Sequence, residues 1–378
     1  MPWERKTVME QRESFVEAVI RGEGTVTGLC AEYGISRKTG YKWLNRASQG
    51  QPLSDESRCP HRQPSKTAED LEAMILTVRA ANPSWGGKTI RAALESAGVE
   101  GLPSVKTCGN ILKRNGCISP EEARKHTPFQ RFERETCNEL WQMDFKGDFL
   151  LGDGVRCYPL DILDDHSRFC LCCKPKSTLS GVKEDFILVL QEYGMPDALL
   201  TDNGAQFSGF RGGYTQFERM LMDLDIQPIH GRILHPQPQG KLERFHRTMK
   251  EEALRTTPEN MEMAKRRLDS WRWRYNNVRP HTALDMKPPA SVYEPSARGY
   301  QPPKPYVYDE GAKLVKVNSW GYLRFGPMQL YLSETMRDTY LEIRPFEEDA
   351  FAVVYRNYRI AVVDANIQKL RNRCIVRL

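Results

Sequence analysis

Three carboxylates in the 378-residue chain stand where acid-based chemistry could be built. Asp144 lies in WQMDF, inside a strand-like run. Asp202 lies in LLTDNG, at the carboxyl end of a short buried strand, where Asn203-Gly204 supplies the tight turn that exposes it. Glu243 lies in HPQPQGKLERFHRTMKEE, residues 235–252, in the first turns of a charge-rich helix. Carboxylate oxygens suit the hard ions Mg²⁺ and Mn²⁺. Two such ions, about 3.5–4 Å apart, can clamp the attacking and leaving oxygens of a phosphodiester. Three acids picked from 49 acidic residues make a weak signal, and Asp148, Asp161, Asp164 and Asp165 compete for the first position on composition alone. On its own helix, Glu243 reads as the partner of Arg247 in a surface i,i+4 pair worth about 0.3–0.5 kcal/mol.

The elements that must position these acids follow from periodicity. LWQMDFKGDFLL, RCYPLDILDD and SRFCLCCKP are strand-like runs parted by turns. A helix follows near 180–193, then the strand DALLTDNG, the helix YTQFERMLMDLD and the short strand QPIHG. Strands first, then alternating helix and strand, predict an α/β layer with a mixed sheet. On the 235–252 helix, Leu242, Phe245, Met249 and Ala253 form the core stripe, with Glu243 at its border. Lys241 and Arg244 flank that acid as candidate phosphate contacts, and His230, Arg232 and His235 line the approach. In AKRRLDSWRWRYNNVR, Trp271 and Tyr275 read as core anchors, with the arginines divided between solvent and a DNA-facing surface. From about residue 310 the pattern alternates, as in FAVVYRNYRIAVV, and predicts a small antiparallel sheet or barrel.

Ahead of this core the chain reads as short helices. Glu10 to Arg21 puts Phe15, Val16, Val19 and Ile20 on one stripe. In TVTGLCAEYGISRKTGYKWLNR a short helix holds Leu29 and Cys30, Gly34 breaks it, and Ser36 caps a second helix with Arg37, Lys38 and Lys42 outward and Leu44 inward. Helix, glycine turn, basic helix is the helix-turn-helix pattern for double-stranded DNA; an ordinary three-helix unit is the alternative. A second such unit has helices near 66–81, 87–97 and 104–115, the last capped by Ser104 and carrying Lys106, Lys113 and Arg114. The expected divisions are a first helix-turn-helix domain at 1–47, a linker at 48–65, a second helix-turn-helix domain at 66–118 and a linker at 119–135. The catalytic core follows at 136–295, a linker at 296–309 and the β domain at 310–378.

Composition narrows the classes. Apolar residues make up 40% and charged residues 28%, as in globular chains. A net charge of +6 leans mildly towards a polyanionic partner. The ten cysteines lack the two close ligand pairs of a zinc module, and Cys170, Cys172 and Cys173 read as small buried strand residues. Gly87-Lys88-Thr89 imitates the end of a phosphate-binding loop, but position 82 is Asn82, not glycine, and the preceding run is helical, so no nucleotide cofactor is expected. The opening MPWERKTVMEQRE lacks a secretory core and no apolar run is long enough to span a bilayer, which places the expected location in a reducing cytoplasm, with no membrane partner.

The motifs WQMDFKGDF, ILDDHSRF, TDNGAQF and HGRILHPQPQGKLERFHRTMKEE, in that order, with WRWRYNNVRPHTALDMKPPASVY downstream, resemble bacterial insertion-sequence transposases with a retroviral-integrase-like core. The paired helix-turn-helix pattern resembles the same group. The resemblance implies a ribonuclease-H-like fold and a catalytic, metal-binding triad of Asp144, Asp202 and Glu243 holding Mg²⁺ or Mn²⁺ as two ions. It further implies recognition of the element's terminal repeats and of target DNA, strand cleavage and strand transfer, and a homodimer or larger assembly. The second and third acids lie 41 positions apart, more than the commonest interval of the group, with the glycine-rich GFRGG at 209–213 able to absorb the excess. Glu251 and Glu252 are alternatives to Glu243 that lack the GKxER context. Two rivals remain: a non-catalytic helix-turn-helix regulator and a plain ribonuclease-H-type nuclease.

Overall fold

The computed structural model describes residues 7–55, 67–118, 134–209, 213–231, 240–371 and 374–378. The chain divides into two compact units, Met1–Lys66 and Thr67–Leu378. In the first, α1 (Val8–Ile20), α2 (Val26–Glu32) and α3 (Arg37–Ser48) close around Phe15, Val16, Ala18, Leu29, Cys30 and Trp43. Local chemistry sets the boundaries. Thr7 and Glu10 form a reciprocal capping box on α1, Thr25 caps α2, and Ser36 accepts from the Thr39 N–H on α3. Gly34, at φ +63°, ends α2. The expected α1 stripe is corrected at its end: Ile20 is 76% exposed and Ala18 takes an inner position, with Val19 half-buried beside it. On α3 the main anchor is Trp43, with Leu44 half-buried beside it.

In the second unit, α4 (Glu69–Ala81), α5 (Gly87–Ser96) and α6 (Val105–Arg114) pack Ile75, Trp85, Ile90, Leu94, Cys108, Ile111 and Leu112 together. Ser104 caps α6, accepting from the Thr107 N–H. The run before position 82 is helical, ending at Ala81, which removes the strand a nucleotide loop requires.

The α/β layer has the expected mixed sheet. Strand β1 (Leu140–Phe145) pairs antiparallel with β3 (Arg156–Asp164) and parallel with β5 (Ala198–Thr201), which pairs parallel with β6 (Gln227–His230). On the far side β3 takes β4 (Cys170–Lys176), and the two-residue β2 (Phe149–Leu150) also pairs with it. LWQMDFKGDFLL is therefore two strands, interrupted at Gly147 with φ +86°. One sheet face carries Trp141, Met143, Leu160 and Ile162 against α7 (Val182–Tyr193) and α8 (Gln216–Asp223). The other carries Leu163, Cys170 and Cys173 against α9 (Gly240–Glu252) and α10 (Met261–Asn277), through Leu242, Phe245, Met249, Leu268, Trp271 and Tyr275. The cysteine cluster is thus buried strand filling, and the nine described cysteines are free.

The carboxyl-terminal sheet runs β13 (Lys369–Arg371), β12 (Tyr358–Asp364), β11 (Ala350–Tyr355), β10 (Tyr340–Glu347), β7 (Leu314–Lys316), with β14 (Val376–Arg377) beside β12 and a hairpin of β8 (Tyr322–Phe325) and β9 (Met328–Tyr331). It is antiparallel, as its alternation predicts. Its core includes Tyr214 and Met222 from the α8 region, and the Tyr214 hydroxyl donates to the Ile360 carbonyl. Among the described residues no helix is long and apolar enough to cross a membrane.

Helix α10 is pinned to the sheet by Asn276, whose buried amide bonds both the N–H (2.9 Å) and the carbonyl (3.0 Å) of Cys170 where β4 bulges. Asn276→Ala orphans both backbone groups. Chemical denaturation of the full chain should show about 2–4 kcal/mol lost; a change below about 0.5 kcal/mol contradicts this role.

Candidate active site

Parallel pairing of β1 and β5 sets Met143 beside Thr201. Asp144 and Asp202 are the next residues along, so two half-buried carboxylates come side by side at adjacent strand ends. They share the sheet face that α9 covers: along β1, Trp141 and Met143 enter the α7–α8 core, leaving Gln142 and Asp144 to the opposite side. Behind Asp202 the turn is tight. Its Oδ1 accepts the Gly204 N–H at 2.9 Å, and a side chain at Gly204 would start 2.9 Å from that same oxygen and 2.5 Å from Gln206 Nε2. Asn203 reaches across to the Gly231 carbonyl at 2.8 Å, fixing the loop to the end of β6.

Asp161, on β3, is the cross-strand partner of Asp144 and is fully buried. Its Oδ2 lies 3.0 Å from His246 Nε2 on α9. The distance is that of an ion pair, but the angles are poor for a hydrogen bond, so neither Asp161 oxygen has a hydrogen-bond donor among the described residues. Burial and then the charge of Asp202 push the Asp144 carboxyl up to about 6, with His246 pulling the other way.

The charge balance fits a divalent cation. Asp144 and Asp202 repel each other when both are ionised, and an ion held between them would remove that cost while accepting hard oxygen donors. Glu243 is not brought to the pair. It is exposed in the first turn of α9, without an ion pair to Arg247, and among the described residues no three His, Cys, Asp or Glu side chains gather closely enough to hold a metal. The Glu252 alternative is excluded by its partners: Ser84, Trp85, Trp271 and Arg279 occupy its carboxylate. Three of the four rivals of Asp144 are engaged too. Asp148 pairs with Arg156, Asp164 accepts from Asn138 and Ser167, and Asp165 accepts from Gln142 and Arg134.

The anticipated DNA contacts separate. Arg37, Lys38 and Lys42 are exposed on α3, Lys106 and Lys113 on α6, and Arg244 on α9. Lys42 also stands over the Trp43 ring at 4.4 Å. Lys241 is placed otherwise: its ammonium lies 2.5 Å from the buried Asp165 carboxylate and also donates to the Asp165 carbonyl, so it fastens the start of α9 to the β3–β4 turn. His230 bridges Glu218 (2.8 Å) and Thr201 (3.2 Å), which accounts for both ring nitrogens. Arg232 and His235, like 210–212 of the glycine-rich loop, lie outside the described residues. Trp271 and Tyr275 are core, as expected, whereas Trp273 is 61% exposed.

Sequence reading missed the Asp161–His246 contact and the partners of Glu252. A faint signal existed for the first. Asp161 interrupts an otherwise apolar strand, and His246 follows Glu243 by three, on the same helix side.

Residues 134–236 and 224–289 match two models of the integrase core domain. Among solved structures, the chain is similar to the HTLV-2 integrase catalytic core domain in complex with magnesium. The trimeric form shows 15% identity and a TM-score of 0.34, covering 42% of this chain and 99% of that one. The dimeric form shows 18% and 0.32, covering 42% and 97%. The simian T-cell lymphotropic virus intasome in complex with PP2A regulatory subunit B56 gamma shows 15% and 0.38, covering 74% of this chain and 91% of that one.

The Asp144 environment makes a signed prediction. In the unfolded chain its proton leaves near 3.8, and in the folded chain near 6. The ionised carboxylate therefore costs stability above about pH 6, and nothing below 3.8, where both states hold the proton. Asp144→Asn should raise the metal-free melting temperature at pH 7.5 and leave it unchanged at pH 3.5. Mn²⁺ should raise the wild-type value at pH 7.5 and not the variant's. A variant that melts lower at pH 7.5 would contradict the assignment.

Proposed function

We propose that the chain is a DNA transposase whose integrase core cleaves and joins DNA by metal-dependent phosphoryl transfer. The observation that carries this reading is the placement of Asp144 and Asp202 side by side on the sheet face beneath α9, within the region that matches the integrase core. Nucleotide energy is not required: hydrolysis by water breaks one phosphodiester to give a 3′-hydroxyl and a 5′-phosphate, and attack by that 3′-hydroxyl then exchanges one phosphodiester for another.

Asp144 and Asp202 would hold Mg²⁺ or Mn²⁺, with Glu243 completing the set. Bound there, the ions supply charge for the phosphoryl oxygens and lower the pKa of an oxygen nucleophile. The chain's own contribution is positioning. Strand pairing fixes the first two acids, and the Gly204 turn orients the second. His246 at Asp161 sets the rotation of α9, and Glu243 lies three residues before it, about 4.5 Å along the helix axis and on the same side. We assign closure of Glu243 onto the pair to the DNA- and metal-bound state. No protein nucleophile takes part.

The exposed basic residues of α3 (Arg37, Lys38, Lys42) and α6 (Lys106, Lys113) are the proposed contacts to the terminal repeats, acting as helix-turn-helix readers, and Arg244 is a proposed phosphate contact beside the acids. Since an element has two ends, the working form is a dimer or larger. The exposure of Glu243 favours one other reading, a regulator that binds the ends without joining them.

Strand transfer of labelled element ends in Mg²⁺ tests the assignment. Asp144→Asn and Glu243→Gln should each lower joining by more than the roughly 10–100-fold that loss of a supporting residue costs, while binding to the ends persists. Normal joining by Glu243→Gln would place the third ligand elsewhere. Binding without joining by the wild type would leave the regulator.

A further inference from the structure

Helix α9 ends on a junction that the proposed chemistry does not use. Glu252, its last residue, keeps only 11% of its side chain exposed. Four donors converge on its carboxylate. Oε1 accepts from Ser84 Oγ at 2.7 Å, Trp85 Nε1 at 3.1 Å and Arg279 Nε at 3.1 Å, and Oε2 accepts from Trp271 Nε1 at 3.0 Å. Trp271 and Arg279 belong to the core itself, on α10 and just after it. Ser84 and Trp85 come from the α4–α5 turn of the preceding helical unit, 168 and 167 positions away in sequence.

The turn is rigidly tied to the helices on both sides of it. The Trp85 indole is buried among Ile75, Ile90, Leu94 and Ile111, and its carbonyl accepts from Arg79 on α4 at 2.7 Å. Arg79 also donates to the Cys117 carbonyl beyond α6. A displacement of α6, which carries Lys106 and Lys113, therefore reaches Trp85 through packed side chains rather than through a loose loop. From Trp85 it reaches α9 by charge-assisted bonds of low solvent exposure, the strong kind. Glu243 lies nine residues up the same helix, about 14 Å along its axis. Rotation or translation of α9 at Glu252 moves Glu243 relative to Asp144 and Asp202.

We infer that Glu252 is a positioning residue that couples DNA engagement by the helical unit of residues 67–118 to the placement of Glu243. The inference rests on the proposed transposase reading. The state in which Glu243 is exposed and the state in which it meets the acid pair differ in the setting of α9, and the Ser84–Trp85–Glu252 junction makes that setting depend on the DNA-reading helices.

The test compares cleavage by the full chain on a duplex carrying the terminal repeat with cleavage on a scrambled duplex of equal length, in Mg²⁺. Binding is followed separately by fluorescence anisotropy, and folding by melting temperature. For the wild type, the repeat should be cut faster than the scrambled duplex. Ser84→Ala and Glu252→Gln should each shrink that rate ratio by about fivefold or more, with affinity for the repeat, rate on scrambled DNA and melting temperature held within about twofold or two degrees of wild type. A merely structural role would lower both rates together and leave the ratio intact, which overturns the inference. An unchanged ratio in Ser84→Ala also overturns it, whether or not Glu252→Gln folds. If the wild type binds the repeat but cuts neither duplex, the transposase reading itself fails and the inference falls with it.

Discussion

Parallel pairing between β1 and β5 is the constraint on which the rest depends. Two strands far apart in sequence are held in one register, Met143 opposite Thr201, and the next residue on each is an aspartate. A slip of one position would send Asp144 or Asp202 to the opposite sheet face, into the apolar layer of α7 and α8. The register is protected by what lies beneath it: Trp141, Met143 and Leu199 are each almost fully buried in that layer. The acid pair is thus enforced by hydrophobic packing on the other side of the sheet. Packing supplies the energy that sets two repelling carboxylates beside each other, and the proton retained by Asp144 to about pH 6 records the repulsion together with the burial.

Helix α9 closes that face and is fastened at three heights. Lys241 pairs with Asp165 at its start, His246 meets Asp161 in the middle, and Glu252 collects four donors at its end. Between these polar ties runs the apolar stripe of Leu242, Phe245 and Met249. The division suits a helix that must be adjustable. Apolar contacts tolerate small sliding because they lack direction, whereas each ion pair has a narrow range of geometry and fixes rotation. The Asp161–His246 contact, at ion-pair distance with off-line angles, is the least settled of the three.

Features governed by neighbours in sequence were legible from residues alone. Ser36 and Ser104 announce their helices, Gly34 ends α2, and the spacing of Leu242, Phe245, Met249 and Ala253 gives the buried side of α9. The mixed sheet follows from the order of strands and helices. What escaped depends on contacts across long stretches of chain. Lys241 reads as a candidate phosphate contact beside an acid, and only the fold brings Asp165 within reach. Glu252 reads as one of two surface glutamates in KEE, until Trp85 and Trp271 arrive from either side of it in sequence. Ile20 failed at a helix end: it is the last residue of α1 and stays exposed.

The second helical unit does more than close its own core. The described core of the first, around Phe15, Cys30 and Trp43, is drawn wholly from its own residues. The second lends Ser84 and Trp85 to a carboxylate on α9. A substitution in the core of the first unit is answered among those same residues. A substitution at Ser84 or Trp85 must be answered at Glu252, Trp271 or Arg279, so the second unit and the core are expected to change together and to be inherited as one piece.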